Sequence, residues 1–299
     1  MQWKEPAGLL QLQMLLLQHG HWVIEGLYVK RDTSFMDLSP DVSQLTEYCK
    51  NVYARAESVI HQWGHIWRTT QGAVWFVKIS GGSQREQLLA YVAGILHDIV
   101  RPITEETCHA QASADKALLI LEDYSEFTLP EEEEIYQAIK DHRNPTSWKT
   151  PVHQSVYLSD KVLEHMGAYL DFRGAVWAGE LSHTDLEGLE PVDAVITYYQ
   201  KASSKFLTGI FPHFVRKVVE YQIGWNRKYL SALKNGESWA CQIAETFFNY
   251  GRQKHDFENT LLSFCPQEGE QQTWAHEMKT YVAGQKFSMF QTLIDDKKK

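Results

Sequence analysis

Three histidines and two aspartates stand where a helical period turns them inward. His65 lies between Trp63 and the pair Ile66 and Trp67, and His97-Asp98 closes the apolar run of Leu88, Leu89, Val92, Ile95 and Leu96. His142 follows the Ile135 and Ile139 stripe, and Asp160 stands between Val156 and Leu163 on another. A buried charge without a partner costs several kcal/mol, so Asp98 and Asp160 need a cation, a metal or a dense hydrogen-bond shell. Imidazole suits zinc, iron, nickel and manganese, while carboxylates favour manganese and magnesium. A carboxylate can also bridge two ions, which an adjacent His-Asp pair at a helix end would support. Any one of these histidines, taken alone, reads as a packing residue. The set, one group on each of several helices, points to a divalent metal.

The elements that must position these groups are helices. Proline is scarce, with 9 in 299 residues, and apolar residues recur at three-to-four spacing. The pattern predicts a helix over Leu9–Leu17, an irregular or short-strand stretch through Trp22–Phe35, and a loop at Asp37–Pro40. A long helix follows from about Ser43 to Ile79, with breaks expected at Gly64 or Gly72. Ser80-Gly81-Gly82 ends it, and Ser83 with Glu86 gives the capping-box spacing for the next. That helix stops at His97-Asp98, before Pro102. Further helices are expected at Ala110–Glu122, after Thr128-Leu129-Pro130, and over Val152–Met166. The acids Glu131–Glu134 suit a helix start rather than a cation site. Asn144-Pro145 is a break. Beyond Pro191 the period predicts helices at Val192–Leu207, His213–Leu233, Ser238–Arg252 and Gln271–Leu293.

Composition narrows the class. At 43% hydrophobic and 22% charged the chain can bury a core. Its 29 basic against 38 acidic residues give a formal charge of −9, which argues against a polymeric nucleic-acid partner. The only basic run, Lys297-Lys298-Lys299, reads as a solvated tail. Cys49, Cys108, Cys241 and Cys265 form no CxxC pair, so neither a thiolate zinc site nor a disulfide scaffold is expected. Leu15-Leu16-Leu17 is far short of a membrane span of about 20 residues, and no secretory pattern is visible. These features set the expectation of a reduced, cytoplasmic, soluble protein.

Four stretches together resemble the HD superfamily of metal-dependent phosphohydrolases. They are His61-Gln62-Trp63-Gly64-His65-Ile66-Trp67-Arg68, Ala93-Gly94-Ile95-Leu96-His97-Asp98-Ile99, Ala138-Ile139-Lys140-Asp141-His142 and Tyr157-Leu158-Ser159-Asp160-Lys161-Val162-Leu163. The resemblance covers about residues 45–235, where Tyr199–Tyr229 is similar to the later helices of small bacterial HD hydrolases. It implies an all-α HD-domain helical bundle over 43–235, an N-terminal extension at 1–42 and a C-terminal helical extension at 236–299. It also implies metal ligation by His65, His97, Asp98 and Asp160, with His142 at a frequent family histidine. His109 is similar to the extra histidine of two-metal branches, so one ion or two are open. Val100 and Ser159 depart from the residues common at their positions, and neither change removes a ligand.

Such an enzyme hydrolyses a phosphate ester or anhydride with a divalent ion that activates water and neutralises phosphoryl charge. Asp98 would bridge two ions if both bind. Arg101, three residues on, is the first candidate to hold phosphoryl oxygens, followed by Arg68, Lys161 and Arg143; surface charge is the competing reading for each. His61, one turn before His65, is either a proton donor or outer partner of the same cleft, or packs against Trp63 or Trp67. The substrate expected is a small phosphorylated molecule such as a nucleotide. Trp63, Trp67 and Tyr91 could stack on its base, although core packing suits them better. Two other classes stay open. A di-iron oxygenase of the same fold would use the same ligands, and a non-enzymatic nucleotide-sensing module would keep only the pocket.

Overall fold

The computed structural model describes residues 38–101, 108–144, 146–180, 186–207, 211–253, 256–266, 269–284 and 286–295. The expectations for Leu9–Leu17, Trp22–Phe35, the start of the Asp37 loop, Pro102, Pro145 and the Lys297–Lys299 tail lie outside these residues. From Leu38 to Lys299 the chain forms one compact unit. Among the described residues it is all-α, without strands: α1 (Pro40–Tyr53), α2 (Trp63–Ile79), α3 (Gln84–Leu96), α4 (His109–Leu121), α5 (Leu129–Lys140), α6 (Pro151–Leu158), α7 (Gly167–Glu180), α8 (Pro191–Leu207), α9 (Arg216–Lys234), α10 (Ser238–Gln253), α11 (Phe257–Ser263), α12 (Gly269–Val282) and α13 (Phe287–Asp295).

Local signals set several boundaries. Ser83 and Glu86 form the expected capping box at α3, and Thr128 with Glu131 forms another at α5. The acids Glu131 and Glu132 stand in the first turn of α5, where the helix dipole favours negative charge.

The long helix expected from Ser43 to Ile79 is two helices, and the break precedes both glycines. The chain leaves α1 at Ala54 and makes a 3₁₀ turn at Val59–His61 before α2 begins. A tertiary partner with no local trace causes this. Glu180, from the end of α7, accepts from the Val59 amide at 2.7 Å and from the Ser58 hydroxyl at 2.7 Å. Gln271–Leu293 is likewise two helices, α12 and α13, parted near Gly284, whose φ of 75° suits glycine. Helices α7 and α11 were not anticipated by the period at all.

Helix α2 is the central strut, packed on α3, α6 and the segment Ser159–Glu164. Two inner glycines, Gly72 on α2 and Gly94 on α3, permit close approach instead of breaking their helices. A Cβ on Gly94 of α3 would lie 2.7 Å from the Thr70 Cα, and one on Gly72 of α2 would lie 2.1 Å from the Ser159 Oγ. The segment Ser159–Glu164 continues α6 as a π-helical turn. The later helices pack around α7, which contacts α8, α9, α10 and α12.

Candidate metal centre

The close packing of α2, α3 and the π turn brings His65, His97, Asp98 and Asp160 together, all at most 4% exposed. His65 Nε2 lies 3.8 Å from Asp98 Oδ2 and 3.7 Å from Asp160 Oδ1. His97 Nε2 lies 3.8 Å from the same Asp98 Oδ2. The other oxygen, Asp98 Oδ1, faces His109 Nε2 and His142 Nε2, each at 3.7 Å. Two triads therefore share Asp98: His65, His97 and Asp98 on one side, and Asp98, His109 and His142 on the other. These separations exceed a hydrogen bond, and they are close to the spacing of donors that share an ion held at about 2.0–2.2 Å.

Each ring is fixed from behind, which decides what its front nitrogen offers. His97 Nδ1 donates to the Gly94 carbonyl at 2.7 Å, and His142 Nδ1 donates to the Ile139 carbonyl at 2.6 Å. His65 Nδ1 donates to Glu164 Oε2 at 2.9 Å. The proton then sits on Nδ1, and Nε2 turns a lone pair inward, the arrangement of metal-ligating histidines. His97 Nε2 is the decisive atom. It is buried, and it has no hydrogen-bond partner. An orphaned buried acceptor among carboxylate and imidazole donors fits a divalent cation.

The protonation states agree with ligation. Burial pushes His65 and His109 down to about 4 and lowers His142 well below its ordinary value, so all three rings are neutral near pH 7. Burial alone would raise Asp98, but Arg101 and the surrounding histidines outweigh it and hold the carboxyl well below the usual range. Asp160 is likewise held low, against its burial, by His165 and Lys161.

The π turn grips His65 from both sides. Asp160 and Glu164, four residues apart, reach the Nε2 and Nδ1 faces of one ring. π-helical turns recur at functional sites because the extra residue redirects a side chain that an α register would aim elsewhere.

The predicted basic residues divide. Arg101 Nη1 reaches both Asp98 oxygens at 3.2 and 3.3 Å, and Lys161 Nζ lies 2.5 Å from Asp160 Oδ2. Arg68 is buried and turned the other way, donating to Glu164 at 2.8 and 3.2 Å, to the Tyr169 hydroxyl at 2.6 Å and to Glu258. Arg143 is exposed, with Nη1 3.8 Å from the Cys108 sulfur. His61 packs its ring against His65 and Trp177 rather than Trp63 or Trp67. Its Nε2 accepts from Arg101 at 2.9 Å. Because the Ser58 hydroxyl donates to Glu180, His61 Nδ1 donates to Ser58, at 2.8 Å. Trp67 and Tyr91 are buried in edge-to-face contact.

Sequence reasoning missed Glu164, His165, Arg173 and the pair Ser58 and Glu180. His165 donates to the Asp160 carbonyl at 2.7 Å, and its Nε2 accepts from Arg173 at 2.9 Å. Arg173 also reaches His61 Nε2 at 3.3 Å. Glu164 could have been found, since it stands four residues after Asp160 in one segment.

Residues 63–165 match the family model of the HD domain. No curated protein and no solved structure matches the chain.

Proposed function

Residues 63–165 are an HD domain, typical of metal-dependent phosphohydrolases, and from that premise we propose that the protein hydrolyses a phosphate ester or anhydride of a small molecule, a nucleotide in the first instance. The observation that carries the reading is Asp98, buried between two histidine pairs with one oxygen turned to each. His65, His97, Asp98 and Asp160 would hold one ion, and His109 and His142 would hold a second through the other Asp98 oxygen. A bound divalent ion lowers the pKa of its water toward neutrality and offsets charge on phosphoryl oxygens.

The chain's own groups do the rest. Arg101 and Lys161, the cations nearest Asp98 and Asp160, are assigned to the substrate's phosphoryl oxygens. Arg143, exposed beside His142, is the outer cation on the same side. Arg68 is assigned instead to Glu164, which its guanidinium already holds. His61 Nε2 is assigned to proton transfer. The Ser58–Glu180 pair keeps a proton on Nδ1, and burial keeps the ring neutral, so Nε2 acts as the acceptor.

The test is release of phosphate or pyrophosphate from a panel of nucleotides and sugar phosphates by metal-stripped protein reloaded with manganese. Turnover that needs metal, and that falls at least about 100-fold in His97→Ala, is the expected result. A fully loaded protein that cleaves no member of the panel would overturn the assignment.

A further inference from the structure

Glu164 accepts hydrogen bonds at both carboxylate oxygens, and among its donors only His65 belongs to the metal centre. Glu164 is fully buried. Oε2 accepts from His65 Nδ1 at 2.9 Å and from Arg68 Nη2 at 3.2 Å. Oε1 accepts from Arg68 Nε at 2.8 Å and from the Tyr281 hydroxyl. Tyr281 is on α12, more than a hundred residues beyond the end of the HD match. A second tie comes from α11, where Glu258 accepts from Arg68 Nη1. Glu258 lies so close over α2 that a Cβ on Gly64 would stand 2.3 Å from its carboxyl carbon. The Arg68 guanidinium also stacks 4.7 Å above the Tyr169 ring and lies 6.0 Å from the Tyr281 ring.

We infer that Tyr281 is a positioning residue of the metal centre. Through Glu164 it fixes the ring and tautomer of His65, so the helices beyond the HD segment are part of what makes the site bind metal. A carboxylate behind a ligating histidine orients the ring and raises its basicity, and a carboxylate so placed needs its own donors to stay put. Tyr281 supplies one that the HD segment lacks. Losing that hydroxyl leaves Glu164 free to turn toward Arg68, away from His65. This inference rests on the metal-centre reading above.

The experiment titrates manganese alone, by calorimetry, into metal-stripped full-length protein, with melting of the same metal-free samples alongside. Four proteins are compared: wild type, Tyr281→Phe, Glu164→Gln and Met278→Ala. Met278 is a fully buried α12 residue outside this bond network, so its truncation loosens the packing of α12 without removing a donor to Glu164. Glu164→Gln is expected to weaken manganese about 10–100-fold, and Tyr281→Phe at least about threefold, with little change in metal-free melting for the latter. Met278→Ala is expected to melt lower and to bind manganese as wild type does. Wild-type affinity in Tyr281→Phe overturns the inference while the metal centre stands. Equal weakening in Met278→Ala also overturns it, by showing that general packing sets the affinity. A wild type that binds no manganese overturns the metal-centre reading, and this one with it.

Discussion

Among single residues, Asp98 is central, because its two oxygens face different histidine pairs. That makes removal of its partners asymmetric. His109→Ala strips one side of the carboxylate and should reduce bound manganese from two ions to one; a native ratio near one, unchanged by the substitution, would remove the second ion from the account. His97→Ala and Asp98→Ala should abolish metal-dependent hydrolysis while circular dichroism keeps its helical signal, since α2 and α3 pack through apolar side chains around them. The inward stripe pointed to His65, His97, Asp98, His142 and Asp160 because His65 lies on α2 and Asp160 on the π turn, while His97, Asp98 and His142 directly follow the last turns of α3 and α5 and keep those helices' inward direction. The groups behind them were hidden. Glu180 reaches Ser58 across 122 positions, and Tyr281 reaches Glu164 across 117, so no local spacing relates them.

The elements matter through how closely they approach. Gly72 faces the π turn, and an added methyl there would meet the Ser159 Oγ at 2.1 Å and Leu163 at 2.7 Å. Gly72→Ala should therefore cost about 1–3 kcal/mol of stability and push Asp160 away from His65, weakening manganese binding. Thermal melting and a metal titration check the two halves of this statement. A variant that melts and binds as wild type does would mean that the turn does not depend on this contact. Capping boxes made the starts of α3 and α5 legible, because both rest on side chains three residues apart. The π turn was not legible. Its residues carry the same amphipathic spacing as α6, and the segment packs against α2, a partner that no local spacing marks.

On the scale of the whole molecule, one buried carboxylate ties the later helices together. Asp171 of α7 accepts from Tyr199 of α8, from Asn226 of α9 at 2.8 Å and from Trp274 of α12 at 2.7 Å. Burial raises its pKa from 3.8 to about 7, against the pull of these three donors. The unfolded chain loses this proton near pH 4 and the folded protein near pH 7. Between those values the folded state holds more protons, so this contribution to stability is complete below about pH 4 and is lost as pH rises toward 7. Melting temperature should accordingly fall more steeply between pH 4 and pH 7 in the wild type than in Asp171→Asn. Parallel slopes would show that Asp171 titrates normally. Nothing in the sequence marked Asp171, since an acid inside a helix looks the same whether it faces water or three donors on other helices.

If Asp98 organises two metal positions, crystals grown with manganese will reveal both through anomalous scattering. Two peaks are expected, one at each Asp98 oxygen, the first also within bonding distance of His65, His97 and Asp160 and the second of His109 and His142. Manganese bound elsewhere, with no peak in reach of Asp98, would contradict this arrangement.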